Sequence, residues 1–225
     1  MKSLFRIAQP ARILVVALFT LPFAFPTTTF AQAAASAQAP AAIFAPAGVL
    51  NYGQVSAILY RGAQPSSAGY EELKNFGITT VVNFRDEKDE IAKERAAVEA
   101  LGMKYISIPW RGSEMPNNAQ VSSFLQLVSS DPKQKIFVHC KEGRDRTGVM
   151  VAAYRMAFEN WTVDKAIQEM YAYHYHHFML PQLQQYVEGF PKVFVQDSSF
   201  SAALSAIRAM SPVASMAGVP LSNQN

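Results

Sequence analysis

The residues best suited to chemistry lie in one short segment, 139–148, which reads HCKEGRDRTG. It contains the only cysteine of the chain, Cys140, and Arg146 follows six positions later. A loop of this length can bring the guanidinium back across the thiol. The planar fork of an arginine binds two oxygens of one phosphate. The spacing therefore predicts that Cys140 attacks a phosphorus atom while Arg146 holds the phosphate.

The residues between these two are suited to bind the anion through their backbone. If a strand ends at Cys140 and a helix opens at Gly148, the intervening N–H groups converge on one point beside a helix N-terminus. Gly143 allows the backbone angles that such an arc requires. We expect the phosphate-binding residues to be Lys141, Glu142, Gly143, Arg144 and Gly148.

Neighbouring side chains refine the expected reaction. A helix N-terminus and nearby cations favour the thiolate, so Cys140 is expected to form a phosphocysteine that water then hydrolyses. Thr147 is placed to donate its hydroxyl to the departing sulfur. His139 is expected to orient the loop rather than to act as a base. Lys141 and Arg144 favour a substrate with several phosphates, and the alternative for both is solvated surface charge.

Strands and helices alternate around this segment. The charged stretch 87–101 is expected to form a helix with a solvated face. The alternation predicts an α/β fold, a single domain with a mostly parallel central sheet flanked by helices. Ligands bind beyond the carboxyl ends of such strands, so Cys140 is expected at the binding edge. The predicted strands are 58–61, 78–84, 103–110 and 135–140, and helices are predicted after Ser66 or Ser67, over the charged stretch 87–101, around 121–128, over 148–158 and from 162.

The N-terminal residues predict export. Residues 1–33 combine a basic stretch, an apolar run from Ile13 to Phe25 and the small-residue sequence Ala31-Gln32-Ala33, a pattern typical of a secretory signal peptide cleaved after Ala33. The apolar run is shorter than the roughly 20 residues of a spanning helix, so no stable membrane insertion is expected after cleavage. The alternative is an uncleaved anchor. We expect a periplasmic or extracellular protein.

The remaining chain divides by composition. Residues 34–50 are uncharged and are expected to be a flexible linker. Residues 51–190 are expected to form the catalytic domain. Residues 191–225 are expected to be a C-terminal tail with a weak helix between Ser199 and Met210.

Charge and residue usage exclude several kinds of function. Removing the first 33 residues takes away three of the 20 cations and none of the 17 acids, which leaves a neutral chain. Bulk electrostatic binding to nucleic acid is therefore not expected. No cofactor is expected. His174 and His177 would share a helix face, but no carboxylate or cysteine joins them, so no metal site is expected.

The segment 139–148 matches the signature loop HCxxGxxRTG of the protein tyrosine phosphatase superfamily, and the chain resembles the atypical dual-specificity phosphatases of bacteria, plants and fungi. Supporting motifs are NYGQV at 51–55, LYRGAQP at 59–65, GITTVVNFR at 77–85, and NWT at 160–162 with Glu169-Met170. The resemblance covers about 51–190. It implies a phosphatase acting on phosphotyrosine, phosphoserine or inositol phosphates, and Trp110 or Tyr60 is available to flank a phosphotyrosine ring.

The proton donor is where this chain departs from the family. Dual-specificity phosphatases take the leaving-group proton from an Asp on a loop upstream of the Cys, and in the corresponding segment 110–117 the only acid is Glu114. Asp145 lies inside the signature loop, in an arrangement similar to myotubularin and Sac-type phosphoinositide phosphatases, where an acid in the loop has this role. We favour Asp145 slightly. The alternatives are Glu114 as the acid, and Asp145 as a carboxylate that only braces the loop.

Two other functions use a comparable loop. A rhodanese-like sulfurtransferase also ends a strand in a cysteine loop, but the Cys-to-Arg spacing and Thr147 disfavour it. A phosphate-binding pseudophosphatase is suggested by the missing upstream Asp. The first would transfer sulfur from thiosulfate to cyanide, and the second would bind anions without releasing phosphate.

Overall fold

A computed structural model describes residues 45–210, with side chains to residue 208. The predicted signal peptide, residues 34–44 of the predicted linker and residues 211–225 of the predicted tail lie outside the described residues.

The centre of the fold is one five-stranded sheet in the order β1-β2-β5-β3-β4. Strands β1 and β2 pair antiparallel, and the β2–β5, β5–β3 and β3–β4 pairs are parallel. The prediction of a mostly parallel sheet is confirmed, and the strand that carries Cys140 is its middle member. The strands are β1 (Gly53–Gln54), β2 (Leu59–Ala63), β3 (Thr80–Asn83), β4 (Lys104–Ser107) and β5 (Ile136–Cys140).

Seven helices and a short 3-10 turn, Ser198–Phe200, complete the described part of the chain. Side-chain caps begin three of them, since Ser66 accepts from Gly69 N and Thr162 from Lys165 N, while Asn117 forms a capping box with Gln120. The helices are α1 (Ser67–Asn75), α2 (Lys88–Ala100), α3 (Asn118–Ser130), α4 (Asp145–Glu159), α5 (Val163–Ala172), α6 (Pro181–Gln196) and α7 (Ser201–Met210).

Helices cover both faces of the sheet. Two buried apolar clusters show this: one takes Tyr70, Leu73 and Val98 from α1 and α2, and the other takes its helical members from α3 to α7. The predicted flanked-sheet architecture is therefore confirmed. None of the helices between residues 45 and 210 has both the length and the apolar character needed to cross a bilayer.

The C-terminal helices belong to the same core. Helix α6 continues through residue 190, the predicted end of the catalytic domain, and Phe190, Phe194 and Phe200 are all buried in the larger cluster. The rings of Phe190 and Phe200 meet edge to face at 5.7 Å. The first part of the predicted tail is thus packed against the domain, because its aromatic residues recur at helical spacing.

Helix α2 differs from the predicted solvated helix. Most of its charges are exposed, but Glu94 is 3% exposed and lies beside the sheet. Buried carboxylates require hydrogen-bonding partners, and those of Glu94 connect it to the catalytic strand, as described below.

Candidate active site

Cys140 ends strand β5 at the carboxyl edge of the sheet. Its register partner is Ala63, the last residue of β2, and the thiol is 4% exposed. Helix α4 begins at Asp145 and not at the predicted Gly148, because Arg144 already has helical backbone angles. Asp145 and Arg146 consequently lie in the first helical turn, close to the strand end.

The loop between strand and helix depends on Gly143. Its φ of +70° lies in the left-handed region, and a Cβ at this position would come within 2.4 Å of the carbonyl carbon and oxygen of Gly62. The loop therefore presses directly against the end of β2. The N–H of Gln64 donates to Lys141 O at 3.2 Å and ties the two strand ends together.

One prediction about the loop is wrong. The N–H of Gly148 donates to Arg144 O at 2.9 Å inside α4, because the helix begins earlier than expected, and it is not available to a phosphate. Gly148 faces Met170 of α5, where an added Cβ would make an ordinary van der Waals contact 3.4 Å from Cγ.

Arg146 is anchored through one nitrogen. Its Nη1 donates to Phe84 O (3.3 Å), Trp110 O (3.0 Å) and Asp86 Oδ1 (2.8 Å). Phe84 and Trp110 follow strands β3 and β4, so the carboxyl edge of the sheet positions the guanidinium. Because every hydrogen bond found for it in the described chain uses Nη1, the Nε–H and Nη2–H edge stays available for bidentate contact with a phosphate.

A cavity of about 190 Å³ joins the expected catalytic groups. This volume is smaller than that of ordinary small-molecule sites, which begin at roughly 300 Å³, and it suits one phosphoryl group. A second cavity of about 260 Å³ lies beside it and shares Lys141 and Glu142. The first cavity is lined by Gly112, Cys140, Lys141, Glu142, Asp145, Arg146 and Leu180.

A buried hydrogen-bond network supports the strand behind the thiol. His139 Nε2 lies 2.6 Å from Glu94 Oε1, and its Nδ1 lies 3.1 Å from Cys140 O. Tyr70 donates to Glu94 Oε1 at 2.6 Å, and Tyr105 donates to Oε2 at 3.1 Å. Asn83 also donates to Oε2. We call these five residues, His139, Glu94, Tyr70, Asn83 and Tyr105, the buried network.

The pKa shifts within the buried network agree with its hydrogen bonds. Burial alone would raise the pKa of Glu94, but His139 and the two tyrosine hydroxyls hold it below its ordinary value. Burial and the adjacent carboxylate raise the pKa values of Tyr70 and Tyr105, so both stay protonated donors. The predicted orienting role of His139 fits this geometry, because its ring is held between Glu94 and the Cys140 carbonyl.

The two candidate acids have different surroundings. Asp145 lines the catalytic cavity, and its carboxylate accepts from His176 N at 2.9 Å and lies 3.0 Å from His176 Nδ1. The other ring nitrogen of His176 lies 3.0 Å from Arg144 Nη1. Glu114 is exposed, pairs with Arg111 at 3.4 Å, and does not line the cavity. Only Asp145 is therefore placed beside Cys140.

The two contacts from His176 hold the Asp145 carboxylate in place at the cavity wall. They fit the bracing role that the sequence left open, and they also fit a carboxylate that accepts a proton from water.

Three other residues named from the sequence, Thr147, Trp110 and Tyr60, are buried. Thr147 is fully buried, and its hydroxyl has no hydrogen-bond partner among the described residues, so its donation to the leaving sulfur stays a prediction. The idea that Trp110 or Tyr60 flanks a substrate ring is wrong. Both are buried in the core, and the exposed apolar side chains near the cavity are Phe178 and Met179, which precede Leu180.

Three functional residues were not predicted from the sequence. Glu94 lies in the stretch 87–101, which is typical of a solvent-facing helix. Asp86 lies just before that stretch, and its position after β3 was a usable signal. His176 was given no role from the sequence, because only its neighbours His174 and His177 were considered as metal ligands. His177 packs on Phe178 at 3.9 Å, and no metal-ligand cluster of three or more residues occurs within 45–210.

Comparison with known families agrees with this site. The family model described as "DSP-PTPase phosphatase fused to NAD+ Kinase" matches residues 46–187. The chain belongs to this family of dual-specificity-type phosphatase domains, which confirms the resemblance found in the sequence.

Individual relatives are moderately similar. Dual specificity protein phosphatase TpbA of Pseudomonas aeruginosa (strain UCBPP-PA14) is 28% identical over 121 residues, 54% of this chain and 53% of TpbA. Dual specificity protein phosphatase 26 of Rattus norvegicus is 32% identical over 116 residues, 50% of this chain and 54% of the relative. The chain thus spans about half the length of these relatives. The crystal structure of P. aeruginosa TpbA superposes with a TM-score of 0.54 at 26% identity, covering 72% of this chain and 98% of that one.

Proposed function

We propose that the chain hydrolyses phosphate monoesters through a phosphocysteine intermediate. The observation that carries this proposal is the shared cavity of Cys140 and the available edge of Arg146, at the end of a parallel strand and beside a helix N-terminus. Membership of a phosphatase family and the names of the relatives support the same reaction.

The first step forms an S–P bond. The Cys140 thiolate attacks phosphorus in line, the bond from phosphorus to the ester oxygen breaks, and that oxygen takes a proton from Asp145. Arg146 holds two phosphate oxygens through Nε–H and Nη2–H while negative charge develops.

The second step restores the enzyme. Water attacks the phosphocysteine and gives a proton to the Asp145 carboxylate, which the contacts from His176 hold beside the cavity. The S–P bond breaks, and inorganic phosphate and the thiolate are released. Water and the phosphate ester are the only reactants consumed.

The substrate is proposed to extend beyond its reacting phosphoryl group. The second cavity brings Lys141, Arg144 and His174 beside the catalytic one. These basic side chains favour a substrate with a further anionic group, such as a phosphotyrosine or phosphoserine peptide with acidic neighbours, or an inositol phosphate. Glu142 partly offsets the charge, because its carboxylate pairs with Arg144 at 3.3 Å.

A phosphate-release panel on the purified protein tests the reaction and ranks the substrates. It compares p-nitrophenyl phosphate, phosphotyrosine and phosphoserine peptides and inositol polyphosphates. Release should be lost in Cys140→Ser and in Arg146→Lys, and retained in the matched control Arg208→Lys on the exposed face of α7. Oxyanion binding without any release would instead identify a pseudophosphatase. Thiosulfate–cyanide turnover without phosphate release would identify a sulfurtransferase.

We also propose export to the periplasm or the cell exterior. The support is the order of basic, apolar and small residues within 1–33, which lie outside the described residues. Mature protein purified from cells should begin at Ala34. A protein that keeps residue 1 and fractionates with membranes would identify an uncleaved anchor instead.

A further inference from the structure

Arg61 is a charged residue in the core that the proposed reaction does not use. It lies in the middle of β2 with an exposure of 0%. In the β2–β5 register it lies opposite Val138, and Ala63 lies opposite Cys140. Side chains two positions apart leave a sheet on the same face. Arg61 therefore lies on the same face of the sheet as Cys140, two register positions earlier along the strands.

The guanidinium lies against the inner side of the phosphate-binding loop. Its Nη2 donates to Gly143 O at 3.0 Å, and the same nitrogen would be 3.9 Å from a Cβ placed on Gly148. The group thus sits under the loop, between its glycine turn and the start of α4. The ring of Tyr173 closes the site, with its centroid 3.7 Å from Arg61 Cζ.

No carboxylate forms an ion pair with Arg61 among the described residues. Glu169 acts on it electrostatically but is bound to Arg155, at 2.6 Å. Arg61 Nε and Nη1 are buried without any hydrogen-bond partner. Burial lowers the pKa of Arg61 to about 10, and the nearby Arg155 contributes to this lowering. Glu169, Tyr173 and Cys140 act in the opposite direction. At neutral pH the guanidinium is therefore still a cation.

An incompletely paired cation in the core is costly. Removing a charge from water costs several kcal/mol unless partners compensate, and here one carbonyl and one aromatic ring are the main partners. Cys140 acts on Arg61 electrostatically, and an anion on that side of the loop would compensate the buried charge. Electrostatic attraction of this kind is strong where water is excluded.

We propose that Arg61 is a positioning residue of the catalytic loop, which fixes the Gly143 carbonyl on the side away from the phosphate and favours the thiolate and the bound oxyanion through its buried charge. This inference rests on the proposed function, but its test does not require turnover.

The test measures how fast iodoacetamide alkylates the chain as a function of pH. Cys140 is the only cysteine, so alkylation reports on this thiol alone. Arg61→Gln keeps a donor for Gly143 O and removes the charge, whereas Arg61→Lys keeps the charge. The control is Arg208→Gln, which removes an arginine charge from the exposed face of α7. The other charged groups around the thiol are the same in all variants: His139, Lys141, Glu142, Asp145 and Arg146.

The expected results separate charge from structure. Arg61→Gln should move the midpoint of alkylation up by about one pH unit, or 1.36 kcal/mol, and weaken vanadate binding about tenfold. Arg61→Lys should keep the midpoint near that of the wild type. Arg208→Gln should leave both the midpoint and the vanadate affinity unchanged.

Two outcomes would overturn the inference. One is a folded Arg61→Gln protein with the wild-type midpoint and vanadate affinity. The other is an Arg61→Lys protein whose alkylation midpoint rises by a full pH unit despite its retained charge. This second outcome is decisive if Arg61→Gln does not fold. If the wild type itself alkylates like an ordinary exposed thiol and binds no vanadate, the proposed function fails together with the inference.

Discussion

The two sides of Cys140 are built differently. Behind the thiol, the buried network joins α1, α2, β3, β4 and β5 through one carboxylate, and all five of its residues are buried. In front of it, the mouth of the cavity is formed by Lys141, Glu142, Asp145 and Leu180, which are half-buried or exposed. We therefore expect the two sides to have different roles in the reaction. The buried side holds the groups that every phosphate ester needs, and the mouth meets the part of the substrate that varies.

This contrast gives a graded expectation for mutations. Changes that displace the loop from its buried support should abolish the reaction for all substrates. Changes at the mouth should depend on the leaving group or on the size of the substrate.

Gly143→Ala should remove nearly all activity. The new methyl group would meet Gly62 at 2.4 Å in a backbone conformation that costs roughly 1–3 kcal/mol for non-glycine residues. The loop would have to move away from β2. The measurement is phosphate release from p-nitrophenyl phosphate together with thermal unfolding.

The matched control for this substitution is Gly189→Ala in α6, where an added Cβ meets nothing within 4 Å. It should stabilise the protein by about 0.5–1 kcal/mol and keep full activity. Full activity in Gly143→Ala would show that the loop does not depend on its contact with β2.

Asp145→Asn should slow the hydrolysis of esters with poor leaving groups by roughly 10²-fold or more, and that of p-nitrophenyl phosphate much less, because a good leaving group needs little protonation. Glu114→Gln should leave both rates unchanged, since Glu114 lies outside the cavity. Rates for phosphoserine peptide and p-nitrophenyl phosphate measure the contrast. An equal loss on both substrates in Asp145→Asn would indicate a bracing role, and the reversed pattern would assign the acid to Glu114.

Glu94→Gln should destabilise the fold by about 3 kcal/mol, because the buried donors Tyr70, Asn83 and Tyr105 lose the carboxylate that accepts from them. Activity should fall about tenfold on every substrate, unlike the selective loss expected at the mouth. Urea unfolding and two-substrate kinetics check these effects. A loss restricted to poor leaving groups would contradict the proposed contrast.

The stability difference between wild type and Glu94→Gln should also depend on pH. The pKa of Glu94 is lowered in the folded protein from its ordinary 4.5. Its contribution to stability is therefore fully present above pH 4.5 and is lost as the pH falls through the folded value. Urea midpoints of the two proteins should converge in acid and stay apart at neutral pH. A constant difference across this range would show that Glu94 is not ionised in the fold.

Phe178→Ser should have the smallest effect. Phe178 is 89% exposed and stands two residues before Leu180 in the cavity wall. Losing its contact with a bulky substrate would cost about 1 kcal/mol, or roughly a fivefold rise in KM for a phosphotyrosine peptide. The kcat value and the stability should not change. Val195→Ser, an exposed apolar residue on α6, is the control and should leave KM unchanged.

The sequence predicts the strands, the helices and the catalytic loop better than the side-chain contacts among them. The alternation of strands and helices and the spacing of Cys140 and Arg146 are local patterns, and the fold they predict is confirmed. Glu94 and Arg61 escape such reasoning, because a charged residue on a helix or strand looks solvent-facing until tertiary packing gives it partners. The role of His176 depends on a loop that brings it to Asp145 from 31 positions away. No periodic pattern contains that contact.

The most direct test of the account is to trap the covalent intermediate. Wild-type protein mixed with p-nitrophenyl phosphate and quenched in acid within one turnover should carry one phosphoryl group on the peptide that contains Cys140, as seen by mass spectrometry. The label should be absent from Cys140→Ser and strongly reduced in Arg146→Lys. Steady release of phosphate with no label on Cys140, or with a label on another residue, would contradict the assignment of Cys140 as the nucleophile.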